Sequence, residues 1–107
     1  MNPKQEADAL GFLGICMRAG AVISGQEACV QAVLTGNAAL ALLDEQAGDS
    51  TRRRLSDACD QAGVPLYGLR AGTLGQAIGK PNRVTAALPP GSMANRLLHT
   101  LRDEPRL

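Results

Sequence analysis

Apolar positions along this chain alternate between helical spacing and short continuous runs, and glycines stand at most of the changes. A first helix is predicted over residues 3–19, with Ala7, Leu10, Leu13/Gly14 and Met17 on its apolar face. Asn2 suits its N-cap, Pro3 its first helical position and Gly20 its stop. Residues 21–23 leave room for only a short strand before Ser24-Gly25-Gln26-Glu27, an S-x-x-E capping box that opens a second helix ending near Gly36. The run Ala39-Leu40-Ala41-Leu42-Leu43 reads as a strand buried on both faces, so helices must cover both sides of it. Asp49 or Ser50 is expected to cap a third helix that passes through three arginines and stops at Gly63. Residues 64–69 form the next strand, with Pro65 near its start. Thr73-Leu74-Gly75-Gln76 offers a second capping box for a short fourth helix closed by Gly79. The polar loop Lys80-Pro81-Asn82-Arg83 leads into a strand over residues 84–88. Pro89-Pro90-Gly91 then turns the chain into a last helix carrying Met93, Ala94, Leu97, Leu98 and Leu101, and residues 102–107 are expected to fray.

The order α-β-α-β-α-β-α-β-α predicts an α/β protein, a three-layer α/β/α sandwich around one small mixed sheet. At 107 residues the chain has room for one core, so a single domain over residues 1–107 is expected, with its core at about residues 5–101. A formal charge of +1 means that nucleic-acid binding would need a local patch, and it argues against a histone-like mode. With Phe12 and Tyr67 as the aromatic complement, single-strand binders that stack bases on a sheet are disfavoured. Cys16, Cys29 and Cys59 lack CxxC spacing and fall among apolar residues, which fits core positions in a reducing, cytoplasmic setting and not a disulfide framework or zinc knuckle. The polar start from Met1 and apolar runs of about five residues predict neither an export signal nor a membrane anchor.

Candidate chemistry is sparse. His99 has no recognisable nucleophile paired with it and reads as a surface or flank residue. Asp44-Glu45 ends a strand, where open α/β sheets often carry functional groups, but a solvated loop pair is the simpler and expected reading. The spacing Gly72-x-x-Gly75-x-x-x-Gly79 matches neither dinucleotide nor P-loop patterns. No catalytic residue, metal site or cofactor is expected. Arg52-Arg53-Arg54 spreads over roughly 300° of a helix, which leaves open a solvated face or a phosphate contact by one of the three. The second helix start is more suggestive. Free N–H groups around Gly25 and Gln26 can hold a phosphate, Gly25 permits close backbone approach, and Gln26 and Gln31 carry amides able to read base edges.

The blocks Leu13-Gly14-Ile15-Cys16-Met17-Arg18-Ala19-Gly20-Ala21-Val22-Ile23-Ser24-Gly25-Gln26-Glu27-Ala28, Gly36-Asn37-Ala38-Ala39-Leu40-Ala41-Leu42-Leu43-Asp44-Glu45, Val64-Pro65-Leu66-Tyr67 and Leu74-Gly75-Gln76-Ala77-Ile78-Gly79-Lys80 occur in this order. Together they resemble the ribosomal protein L-seven-Ae superfamily, most of all its bacterial YlxQ-like branch. The resemblance implies an α/β/α sandwich that binds the kink-turn, a bent RNA helix–internal loop–helix element. It places the RNA-binding residues at Ser24, Gly25, Gln26, Glu27 and Gln31 on the second helix and at Lys80, Arg83 and Val84 in the loop before the last strand. The superfamily signature G-x-N-E, followed by a lysine, is replaced: alignment on Gly36 puts Glu27, Ala28 and Gln31 at the Asn, Glu and Lys positions. The covering loop, apolar in better-known relatives, is charged here.

The expected function is therefore non-catalytic binding of structured RNA, of kink-turn or rRNA-like form, by a monomer associated with the ribosome and not with membranes. Arg18, Lys80 and Arg83 are the cations expected to contact phosphate. The alternative, from a different class, is a protein-interaction or scaffold module that kept the fold and lost RNA recognition. Near-neutral charge and the missing lysine permit it.

Overall fold

The computed structural model describes residues 2–107; Met1, with which the polar start opens, lies outside them. Nine elements follow the predicted order: α1 (Pro3–Arg18), β1 (Ile23–Ser24), α2 (Gln26–Leu34), β2 (Leu40–Asp44), α3 (Asp49–Ala62), β3 (Leu66–Leu69), α4 (Thr73–Ile78), β4 (Thr85–Leu88) and α5 (Ser92–Thr100). The strands make one mixed sheet in the order β1-β4-β2-β3. β4 runs antiparallel to both β1 and β2, whereas β2 and β3 are parallel, the pair that requires the α3 crossover.

The continuous apolar run of β2 works because each face of the sheet has its own core. Leu40 and Leu42 point into a cluster with Ala9, Leu13 and Cys16 of α1, Leu74 of α4 and Leu97 of α5. Ala41 and Leu43 point the other way, among Cys29, Val30 and Val33 of α2 and Leu55 and Cys59 of α3. β4 follows the same period, with Ala86 and Leu88 in the first core and Ala87 in the second. Each fully buried leucine stabilises such a fold by about 1.5–3 kcal/mol, so the two leucines on one face and one on the other anchor β2 between the helical layers.

The helix starts show where local pattern yields to tertiary structure. Asn2 caps α1 as expected, its Oδ1 accepting from Gln5 N at 2.7 Å. Neither capping box forms. Ser24 lies in β1, paired with Ala86, and Gly25 at φ 95° becomes the N-cap of α2. Glu27 then falls at the second helical position, where its carboxylate is engaged by Arg54 of α3. Thr73 is likewise already helical, and its hydroxyl donates to Arg70 O at 2.7 Å.

The α4 start is capped from a distance by Asp44. Its Oδ1 accepts from Gly72 N at 3.0 Å and its Oδ2 from Leu74 N at 3.2 Å, with Gln46 N also donating to Oδ1 at 2.8 Å. The expectation of a solvated Asp44-Glu45 pair is thus corrected: Asp44 is fully buried and Glu45 is exposed. Gly48, not Asp49 or Ser50, caps α3. The tail does not fray but returns to the open edge of the sheet, where Leu107 N donates to Leu66 O at 2.8 Å and the Leu107 side chain covers Gly68.

Candidate functional site

Strand register assembles the site. Because Ser24 stands opposite Ala86 in the antiparallel β1–β4 pair, the next residue, Gly25, falls beside Thr85, and its N–H donates to Thr85 O at 3.3 Å. The start of α2 and the loop that enters β4 therefore meet, although about sixty residues separate them in sequence.

Gly25 makes the meeting close. A methyl group built on its Cα would lie 2.5 Å from Arg83 Nη1, so the guanidinium lies directly across the glycine. Its backbone, at φ 95° and ψ 145°, is in a region that L-residues rarely adopt. With no side-chain cap, the first-turn amides of Gln26, Glu27 and Ala28 face outwards with no hydrogen-bond partner among the described residues. Arg83 pairs with no carboxylate among those residues. A helix N-terminus and an unpaired guanidinium thus add positive potential at one place in a nearly neutral molecule.

The loop that carries Arg83 is held from behind. Lys80 N donates to Gly75 O at 2.9 Å, and Arg83 N donates to Lys80 O at 3.0 Å, which closes a tight turn. Gly75 of α4 lies so close beneath it that an added Cβ would meet Lys80 O at 2.6 Å and Pro81 O at 2.8 Å. Lys80 is exposed on this turn, and half-buried Val84 packs on the α2/α3 core. Asp44, weighed in the sequence as half of a strand-end pair but not assigned to the RNA site, contributes indirectly by fixing the N-terminus of α4. Its position at the end of a strand was the available signal, but its three amide partners could not be read from the sequence.

The side chains of the α2 first turn are tied to α3. Gln26 Oε1 accepts from Thr51 Oγ1 at 2.6 Å, and both Glu27 carboxylate oxygens are engaged by Arg54, the second at 3.4 Å. Arg54 therefore links two helices, a role outside the two readings of the arginine run. Gln31 is exposed one turn after Glu27 and on the same helix face. Arg18 stands apart: it ends α1, in the layer that packs on the opposite face of the sheet from α2.

Beneath the site, Cys29 is fully buried, and burial pushes its thiol up to about 11, against the opposing pulls of the Thr85 hydroxyl and the Arg83 charge. Thr85 Oγ1 is itself buried without a nitrogen or oxygen partner among the described residues. Cys59 is likewise pushed up to about 11 by burial, with the charges of Asp60 and Cys29 adding to the effect. Cys16 is raised by burial as well. All three are free thiols in the core, as the sequence predicts, and their burial denies them the accessible setting of a reactive cysteine. Among the described residues no group of His, Cys, Asp and Glu has metal-holding geometry, and no helix is long and apolar enough to cross a membrane.

The fold and site together define a class: a small α/β/α sandwich that sets a helix start without a side-chain cap beside a cationic loop. Comparison with known proteins makes the class specific. The RNA-binding protein YlxQ of Bacillus subtilis is 33% identical over 91 residues, covering 84% of this chain and 91% of that protein. YlxQ of Enterococcus faecium is 28% identical over 85 residues, covering 78% and 82%. A Bacillus halodurans C protein of unknown function superposes with a TM-score of 0.82 at 31% identity, over 91% of this chain and 99% of that one. The 15.5 kD RNA binding protein of Giardia lamblia shares the fold, with a TM-score of 0.74 at 20% identity over 92% and 85% of the two chains. No family model matches the sequence. The chain belongs to the L-seven-Ae superfamily, in its YlxQ-like branch.

Proposed function

We propose that this protein is a non-catalytic RNA-binding protein that holds a bent RNA of kink-turn type, acting as a cytoplasmic monomer in association with the ribosome. The observation that carries the reading is the joint between Gly25 and Arg83, where the open start of α2 meets a guanidinium with no carboxylate partner among the described residues. Membership of a family whose relatives are named RNA-binding proteins supports it.

In this reading the amides of Gln26, Glu27 and Ala28 receive a phosphate at the bend, and Arg83 contacts the same strand or stacks on an unpaired base. Lys80 adds charge at the rim, Ser24 and Val84 shape the walls, and exposed Gln31 reaches a base edge one turn along the helix. Gln26 and Glu27 are held to α3 and contribute chiefly through their backbone. No bond is made or broken. Phosphate interactions that only the bent form can make offset the cost of bending, so the protein selects a conformation of the RNA.

Titration into a labelled kink-turn RNA and a matched straight duplex lacking the internal loop, at two salt concentrations, tests the reading. Preferential binding of the kink-turn, weakening as salt rises, is expected. Replacing both Lys80 and Arg83 by Ala should reduce that binding while leaving the fold intact. Equal or absent binding of the two RNAs would overturn kink-turn recognition.

A further inference from the structure

On the layer opposite α2, helices α1 and α5 enclose an open groove of about 510 Å³ that includes Gly11, Phe12, Ile15, Arg18 and Arg96. Three observations set it apart from ordinary surface. Ile15 is 46% exposed, one of only three exposed large hydrophobic residues among those described. The guanidinium of Arg96 is held over the Phe12 ring, 4.9 Å from its centre, which fixes a cation beside an apolar floor. Gly11 sits within α1, and a Cβ added there would meet nothing within 4 Å. A glycine inside an exposed helix weakens it relative to alanine, and here no internal packing requires one. Gly14, one turn later, differs: its added Cβ would press on Ala77 O of α4 at 3.3 Å.

We infer that this groove docks an acidic helical segment of a partner protein, whose backbone approaches α1 at Gly11, with an apolar side chain against Ile15 and carboxylates facing Arg18 and Arg96. Charge selects this occupant. Two arginines flank the apolar floor against the one carboxylate in the groove, Asp8 at its far end. An RNA backbone would use the cations but gain nothing from exposed Ile15 or from the open space over Gly11. In this inference Arg18 faces the partner helix, and the groove does not depend on the RNA reading of the Gly25–Arg83 joint.

The test uses the full chain labelled with nitrogen-15 and two synthetic helical peptides, one presenting leucine between glutamates and the other the same pattern with lysines. Saturable shifts at Gly11, Phe12, Ile15 and Arg96 with the acidic peptide alone are expected, and they should persist when a kink-turn RNA is added. Gly11→Gln should keep or raise the melting temperature and weaken the acidic peptide at least about tenfold, since it fills the approach without disturbing packing. Arg96→Glu should weaken it similarly. Three results would overturn the inference: no saturable shift, equal binding of the two peptides, or perturbation of this face by RNA in place of the acidic peptide.

Discussion

At the scale of single residues, the site depends on two positions that the sequence marks separately. Gly25 was visible as a helix-start glycine suited to close approach and Arg83 as a loop cation suited to phosphate, but nothing in the sequence set one against the other. Their contact depends on the β1–β4 register, which no local pattern encodes. Gly25→Ala should therefore act twice. The left-hand backbone geometry becomes strained, at a cost of about 1–3 kcal/mol, and the new methyl group displaces Arg83. Urea unfolding should show the lost stability, while kink-turn affinity should fall further than it does in Arg83→Ala, whose stability stays near that of the parent. Equal affinity for the parent and Gly25→Ala would remove this joint from the RNA site. Thr85 gives the opposite sign. Its hydroxyl is buried without a nitrogen or oxygen partner among the described residues, and valine keeps the shape without the polar group. Thr85→Val should raise the urea midpoint, with a gain of about 1 kcal/mol. A loss would mean that the hydroxyl contributes through the Cys29 thiol beside it.

At the scale of elements, the order and kind of all nine are legible in the sequence because two hydrophobic periods alternate between glycine stops. The helix starts are less legible, and the reason is physical. Ser24 and Thr73 have the chemistry of N-caps, but β1 pairing claims Ser24 for the sheet, and positive-φ glycines take both cap positions. The donors left at the α4 start are met by Asp44, about thirty residues earlier and across the sheet's end. Such a cap depends on where β2 ends relative to α4, which is tertiary information. It also bears on the site, because α4 supports the Lys80–Arg83 turn through Gly75. Asp44→Asn should remove a charged acceptor and place an amide donor among backbone donors, destabilising the fold by about 2–3 kcal/mol. Hydrogen exchange should show α4 and the following turn opening first. Uniform destabilisation, with α4 no more exposed than the other helices, would show that Asp44 supports the molecule without specially fixing the turn.

At the scale of the whole molecule, the α2/α3 core carries a pH dependence separable from any RNA effect. Cys29 and Cys59 lie in that core, each pushed up to about 11 from an ordinary thiol value of 9.0, with burial the main cause. In the unfolded chain these thiols ionise near 9.0, whereas the native state retains their protons to about 11. Over that interval the unfolded state binds fewer protons, so stability falls as pH rises. It is fully present below the unfolded value and is lost progressively towards the folded one, with a slope approaching about 1.4 kcal/mol per pH unit for each thiol. Urea midpoints of the free protein should therefore decline between about pH 9 and pH 11. Cys59→Ala should flatten the decline while lowering the neutral-pH midpoint, because it removes a titrating group and leaves a small cavity. The direction tests the core assignment: a midpoint that stays flat across the interval would place both thiols in contact with solvent, contrary to their burial in the α2/α3 core.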